Sequence, residues 1–223
     1  ASKHRFDEQL GDLPLSSVVL RPSVVYSVSG SYGGTSLLRP LAGFPGMQWL
    51  PGDGRGQVQP LAAEDLGELV ARAVGSAITG TYEVGGPAPL SLRDYQTQWR
   101  RWLRVPGERV AAVPEACVSL AVSVMERLGR GPVGRTMWRM LQRGNITTVD
   151  AADRLQADFG LRPRSLPEAL RQAPSQVQDR WHAQLYFLVP VLKWSVVVLW
   201  LLSGVPGFVT PAPNILEMSA GTP

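Results

Sequence analysis

The chain has 223 residues, a net charge of +4 and a hydrophobic content of 44%, so it is long and apolar enough to bury a core. Arginine supplies 20 of the 22 basic side chains, and these are spread along the chain instead of forming a basic run, so we expect no nucleic-acid partner. A single cysteine, Cys117, and two distant histidines, His4 and His182, argue against a metal site and against a Ser-His triad.

The first third of the chain reads as a polar helix, a broken strand and a long loop region. Residues 1–10 form a polar helix with neither an initiator Met nor an apolar leader, which suggests a piece of a longer protein. Residues 17–20 predict a buried parallel strand that Arg21-Pro22 closes, and residues 24–26 are extended again. Glycine, proline and serine over residues 27–60 predict loops. The glycines at 52–56 follow no predicted strand and open no predicted helix, so a surface loop is favoured over a phosphate cradle there.

Helices dominate the remaining soluble part of the chain. The predicted elements are a helix over 64–76, a strand over 80–86, a helix capped by Ser91 and running to 103, an extended piece over 109–113, and helices over 114–128, 133–143, 151–159 and from 165. Asp150 is expected to cap the helix that Gly160 stops. This order predicts an α/β fold with a helical C-terminal lobe.

A hydrophobic segment follows at residues 185–205 (LYFLVPVLKWSVVVLWLLSGV), where 16 of 21 residues are apolar. This length suits a transmembrane helix, and the alternative is a buried core helix of a soluble protein. Lys193 opposes insertion by about 2.5–3.5 kcal/mol, which the apolar residues outweigh with about 4–8 kcal/mol. Pro190 either kinks the helix or marks its true start.

The charges flanking this segment predict its orientation. Arg162, Arg164, Arg171 and Arg180 precede it, and residues 194–223 contain no Lys or Arg. The positive-inside rule therefore places the preceding domain in the cytoplasm, at the cytoplasmic membrane. The five arginines within residues 116–149 either contact anionic lipid headgroups or form an ordinary solvated helix face.

Four segments in this order resemble a known family: SK at 2–3, LRPSVVYS at 20–27, PGDGRGQVQPLAAEDLGELVARAV at 51–74 and GTYEVGGPAPLSLRDY at 80–95. The order resembles the C-terminal half of an extended or atypical short-chain dehydrogenase/reductase of the NmrA-like, complex I accessory-subunit-like branch. The later run from FGLRPRSLPEAL (159–170) into the hydrophobic segment resembles a fusion to a DoxX-like membrane domain. The resemblance implies three parts: the C-terminal part of a Rossmann-like domain at 1–113, a helical lobe and linker at 114–180, and the first transmembrane segment at 181–223.

The resemblance also implies an NAD or NADP cofactor and its contacts. Lys3 matches the family's active-site Lys, which holds the nicotinamide ribose and lowers the pKa of a Tyr four residues earlier; the alternative is that Lys3 begins a solvated helix. Arg21, Pro22, Ser23 and Val24 match the strand end where cofactor and substrate meet, although Arg-Pro also serves simply to end a strand. Gln59-Pro60 and Asp65 resemble the segment that packs the lobe on the core, with Asp65 structural in preference to catalytic.

Two functions follow from this resemblance. One is a membrane-anchored oxidoreductase that acts on a small-molecule substrate of unknown identity, and the other is a non-catalytic NAD(P)-binding assembly or sensor protein of a membrane complex. The residue four before Lys3 discriminates between them, because only a proton donor such as Tyr supports catalysis. A third alternative leaves the activity to the membrane part, with other membrane helices as partners. The glycine loop of the dinucleotide site is expected upstream of residue 1.

Overall fold

A computed structural model describes residues 5–6, 9–10, 13–30, 35–107, 109–127 and 134–209. The chain forms two compact units, Ala1–Ala183 and Gln184–Pro223. The predicted parts 1–113 and 114–180 lie within the first unit.

Short strands, mostly in parallel pairs, form the centre of the first unit. In chain order the described strands are β1 Val18–Pro22, β2 Val24–Tyr26, β3 Gln48–Pro51, β4 Gln57–Val58, β5 Pro60–Ala62, β6 Gly80–Val84, β7 Leu90–Ser91 and β8 Val110–Val113. β1 pairs in parallel with β6, β2 with β5 and β3 with β8, whereas β4 and β7 are antiparallel. Parallel pairs joined through helices confirm the predicted α/β class.

Helices surround these strands. The described helices are α1 Thr35–Gly43, α2 Ala63–Val74, α3 Leu92–Trp102, α4 Glu115–Arg127, α5 Arg135–Arg143, α6 Ala151–Phe159, α7 Leu166–Gln172, α8 Val177–Leu185 and α9 Leu188–Val209. Each helix predicted between residues 64 and 172 is confirmed to within a few residues at its ends.

The predicted loop region 27–60 is wrong in part, because it contains α1, β3 and β4. The glycine segment 52–56 directly follows β3, contrary to the expectation that no strand precedes it. It leads into β4 and not into a helix, so its backbone amides do not gain the helix N-terminus that a phosphate cradle uses.

Local capping explains several helix ends. The Ser91 hydroxyl accepts a hydrogen bond of 3.0 Å from the Asp94 amide at the start of α3, as predicted. Gly160 ends α6 with φ of +63°, a conformation in which glycine avoids the strain of a side chain. Asp150 stands at the N-cap position of α6, but its side chain makes no capping hydrogen bond and its backbone is helical, so its predicted capping role is wrong.

Two apolar clusters hold the first unit together. One lies beside the β1–β6 pair and includes Leu61, Leu69, Tyr82 and Leu155. The larger one gathers β2, β3 and the inner face of α3, whose buried residues recur at helical spacing at Leu92, Tyr95, Gln96, Trp99 and Arg100. α3 therefore lies at the centre of the larger apolar cluster.

The second unit is dominated by α9, which begins at Leu188, three residues after the predicted start of the hydrophobic segment. Pro190 consequently lies in the first turn, where its missing amide hydrogen costs no helical hydrogen bond. This position fits the alternative in which Pro190 marks the start of the helix.

Candidate functional site

The chain changes partner strands at residues 21–24, which we call the crossover. β1 ends at Pro22, paired with Val84, and the Ser23 amide donates a hydrogen bond of 2.8 Å to the Val84 carbonyl. From Val24 onward the chain pairs instead with β5. In open α/β sheets, ligands bind beyond the carboxyl ends of the parallel strands. The crossover therefore lies where the fold class places its ligands.

The four predicted residues of the crossover differ in exposure. Arg21 and Pro22 are exposed, Ser23 is half-buried and Val24 is buried. The Ser23 hydroxyl donates a hydrogen bond to the backbone carbonyl of Gln59, and this bond fixes the backbone where the chain changes its partner strand. Lys3 lies outside the described residues, so its role at the ribose stays a prediction.

Gln59 joins three chain segments beside the crossover. Its amide nitrogen donates to the Gly86 carbonyl at 2.6 Å, and its amide oxygen accepts from the Thr147 backbone amide at 2.9 Å and hydroxyl at 3.0 Å. A Cβ atom on Gly86 would lie 2.3 Å from the Pro60 carbonyl oxygen, so only glycine allows the segment after β6 to pass this close to β5. The resemblance singled out Gln59, but Thr147 is 88 residues away and carries no sequence signal for this contact.

Asp65 fastens the first turn of α2 to the chain before α7. One carboxylate oxygen of Asp65 accepts a hydrogen bond of 2.7 Å from the Arg164 Nε and lies 2.6 Å from the Arg164 Nη2. The other carboxylate oxygen accepts a hydrogen bond of 2.7 Å from the Arg164 backbone amide. The Asp65 side chain is 5% exposed, and its hydrogen bond raises the pKa of Arg164. With its carboxylate engaged in this way, Asp65 has a structural role.

Arg39 makes hydrogen bonds to the backbone segment that follows β2. No sequence pattern had identified this arginine as a functional residue. Its guanidinium donates to the carbonyls of Ser27, Val28 and Gly30, and its central carbon lies 4.7 Å from the ring centre of Trp99. Burial lowers the pKa of Arg39, but three carbonyls and an aromatic face stabilise the cation. The segment 27–30, which follows the carboxyl end of β2, is thereby bound to Arg39 through three hydrogen bonds.

Two tyrosines behind this segment stay protonated near neutral pH. Burial raises the pKa of Tyr26 far above its ordinary value and raises the pKa of Tyr95 to about 12. The Tyr26 ring packs edge-on against Trp99 with 5.9 Å between ring centres. Both side chains are buried in the larger apolar cluster and contribute to its packing.

Within the part of the chain that the structure describes, no cluster of three or more His, Cys, Asp or Glu side chains is placed to hold a metal ion.

Comparison with solved structures shows the fold. A dTDP-4-dehydrorhamnose reductase from Bacillus anthracis, determined in complex with NADP, is similar to this chain with a TM-score of 0.52 and 15% identity, covering 77% of this chain and 52% of that one. Pal from Bacillus thuringiensis is similar with a TM-score of 0.51 and 14% identity, covering 83% of this chain and 51% of that one. The chain therefore spans about half the length of these structures. No family model and no curated protein matches the sequence.

These likenesses bear out the coarse part of the sequence prediction. The first unit has a Rossmann-like α/β fold similar to that of these two structures. At identities of 14–15% the likeness concerns the fold, and it does not extend to the substrate.

Proposed function

We propose that the chain is part of an NAD(P)-dependent oxidoreductase of the short-chain dehydrogenase/reductase type, held at the cytoplasmic membrane by α9. The observation that carries the oxidoreductase part is the fold, with parallel pairs β1–β6 and β2–β5 meeting at the crossover and a reductase solved with NADP among the similar structures. The site lies at the carboxyl ends of these strands.

Residues of the crossover would form the nicotinamide side of the site. Pro22 restricts the backbone, and the bond from Ser23 to Gln59 fixes the turn, so that Arg21 and Pro22 are presented at the surface where a nicotinamide would approach. Lys3 would hold the nicotinamide ribose, as the resemblance implies. The dinucleotide supplies or accepts a hydride when bound.

The pyrophosphate of the dinucleotide needs backbone amides at a strand-to-helix turn. The glycine segment 52–56 joins two strands and does not supply such a turn. We therefore assign the pyrophosphate to residues outside the described part of the chain. β1 is compatible with this, because no described strand pairs with it on the side away from β6, which leaves that edge for a further strand.

The membrane part of the proposal rests on α9. Residues 188–205 form a helical stretch that is long and apolar enough to cross a bilayer, and none of its residues is buried. A core helix would bury one face, so the exposure of this apolar surface favours a lipid environment. We propose that α9 is the first span of a DoxX-like membrane domain, with Lys193 directed to a partner helix or to the interface.

Dinucleotide binding tests the oxidoreductase proposal. The protein, expressed from its full open reading frame and placed in lipid nanodiscs, is titrated with NADPH and NADH while energy transfer from tryptophan to the reduced nicotinamide is followed. We expect micromolar binding of one of them, and binding about tenfold weaker in Lys3→Met, because a charge-assisted hydrogen bond to the ribose is lost.

Lys193→Met is the matched control, because it removes the chain's other lysine from a helix remote in sequence, and its affinity should equal that of the wild type. Absence of binding to either dinucleotide would overturn the proposal. Micromolar binding by the 223-residue chain alone would contradict the expectation that the glycine loop lies upstream of residue 1.

A further inference from the structure

The first unit contains a large apolar cavity beside the crossover. Its volume is about 450 Å³, and its wall is formed by α1, α3, α4, α5 and strands β3, β4 and β8, together with Val24 of the crossover. α4 contributes one face, including Cys117, Ala121 and Met125, and two tryptophans, Trp49 and Trp138, also line it. Ligand sites in proteins are concave and mostly apolar in this way.

One amide interrupts the apolar wall. Gln96, on the inner face of α3, is 1% exposed, and neither its amide nitrogen nor its amide oxygen has a hydrogen-bond partner among the described residues. A buried amide without a partner is unfavourable, and native proteins avoid it unless a ligand or a functional demand requires the group. Gln48, equally buried, lies 3.4 Å from the Thr97 hydroxyl. Other buried polar atoms also lack a partner among the described residues, but they do not line the cavity: the Gln98 amide oxygen, the Tyr26 hydroxyl and the Trp99 indole nitrogen.

The chemistry of the wall limits what the cavity can hold. The lining contains no Asp, Glu, Lys, Arg or His side chain, so a charged ligand would lose its hydration without compensation. At about 30 Å³ for each non-hydrogen atom, the volume accommodates roughly 15 such atoms. The Gln96 amide can donate to a carbonyl or accept from a hydroxyl.

We propose that this cavity binds a neutral, lipid-like molecule that carries a single carbonyl or hydroxyl oxygen near Gln96. The proposal goes beyond the oxidoreductase function and stands without a dinucleotide. Because Val24 belongs both to the cavity wall and to the crossover, an occupant would lie next to the strand end where the fold class places its chemistry.

Cys117 provides a local readout, since it is the only cysteine of the sequence, is exposed and lines the cavity. The protein in lipid nanodiscs is labelled with a maleimide at increasing concentrations of 2-undecanone, a neutral ketone, or of undecanoate, its charged counterpart. We expect the ketone to slow labelling and undecanoate to do so only at concentrations about tenfold higher or more, because its charge must be desolvated.

Two variants connect this protection to the cavity. Gln96→Leu should raise the ketone concentration for half-protection about tenfold, because the hydrogen bond to the oxygen is lost while the apolar volume is kept. Ala121→Trp should abolish protection by filling the cavity. Ala116→Trp is the matched control, since Ala116 lies on the same helix but does not line the cavity, and it should protect as the wild type does.

Circular dichroism spectra that match the wild type establish that each variant is folded. Equal protection in the wild type and folded Ala121→Trp would overturn the proposal. Equal protection by the ketone and undecanoate would do the same.

Discussion

Individual buried charges in the first unit are held by specific partners. Arg100 is 1% exposed and donates to the carbonyls of Ala42, Phe44, Pro106 and Gly107. Burial lowers the pKa of Arg100, and the four carbonyls replace the water that the guanidinium loses. The buried Asp65 carboxylate is stabilised instead by its ion pair with the Arg164 guanidinium. Removing one partner leaves the other buried without compensation, so the free energy of unfolding should fall by more than the interaction itself contributes.

Asp65→Asn should lower the free energy of unfolding by about 2 kcal/mol, because the charge that pairs with Arg164 is lost and the amide replaces one acceptor with a donor. Urea unfolding followed by tryptophan fluorescence measures this cost. Asp53→Asn is the matched control: Asp53 pairs with Arg55 at 2.7 Å, but both side chains are largely exposed, so the cost should stay below about 0.5 kcal/mol. Equal costs in the two variants would contradict a structural role for the Asp65 pair.

Among the elements, helices whose capping residues stand beside them in the sequence were predictable. A helix that is stabilised by residues distant in the sequence was not. α3 and α7 carry their caps in sequence, at Ser91 and Ser165. α1 has Pro40 inside it and lies in a glycine-rich region, and the carbonyl of Ala42 near its end is satisfied by Arg100, 58 residues later. Sequence periodicity carries no information on such a contact, which is why region 27–60 was predicted as loop.

The capping box of α7 makes its stability depend on pH. Glu168 accepts hydrogen bonds of 2.7 Å from the hydroxyl and the amide of Ser165, and these lower the pKa of Glu168 below its ordinary value of 4.5. A carboxylate with a lowered pKa stabilises the fold at pH above its ordinary value and loses this contribution as the pH falls through the lowered one.

The Glu168→Gln variant should therefore melt at a lower temperature than the wild type at neutral pH. This gap in melting temperature should disappear at acidic pH. Thermal unfolding followed by circular dichroism at a series of pH values measures the gap. In a Ser165→Ala background the same substitution should give a much smaller pH-dependent gap, because the hydroxyl partner is gone. A gap that stays constant from neutral pH to acid would rule out this role of the capping box.

For the whole molecule, composition and order predicted an α/β unit followed by an apolar helix. The crossover was found from the resemblance of LRPSVVYS, since a short buried strand and a proline alone do not mark a ligand site. Gln96 was missed, because a glutamine within a helix is ordinarily exposed and its burial depends on how α3 packs among the strands. The cavity is likewise a property of packed elements that no single segment encodes.

The orientation proposed for α9 is testable with the native cysteine. In a bacterial host, a membrane-impermeant maleimide should leave Cys117 unlabelled in intact spheroplasts and should label it after lysis, because the first unit faces the cytoplasm. A Cys117→Ala variant that also carries Ser219→Cys should show the reverse, since residue 219 follows the span. Labelling of Cys117 in intact spheroplasts, or recovery of the protein in the soluble fraction, would contradict the proposed anchoring.

The contacts of Gln59 also constrain how this protein can evolve. Its amide donates to Gly86 and accepts from Thr147, and Gly86 has no room for a side chain beside Pro60. A glutamate at position 59 would lose the donor, and an alanine at position 86 would displace β5 from its neighbour. We therefore expect substitutions at positions 59 and 147 to depend on one another, whereas a side chain at position 86 would meet the Pro60 backbone, which no change at either of them removes.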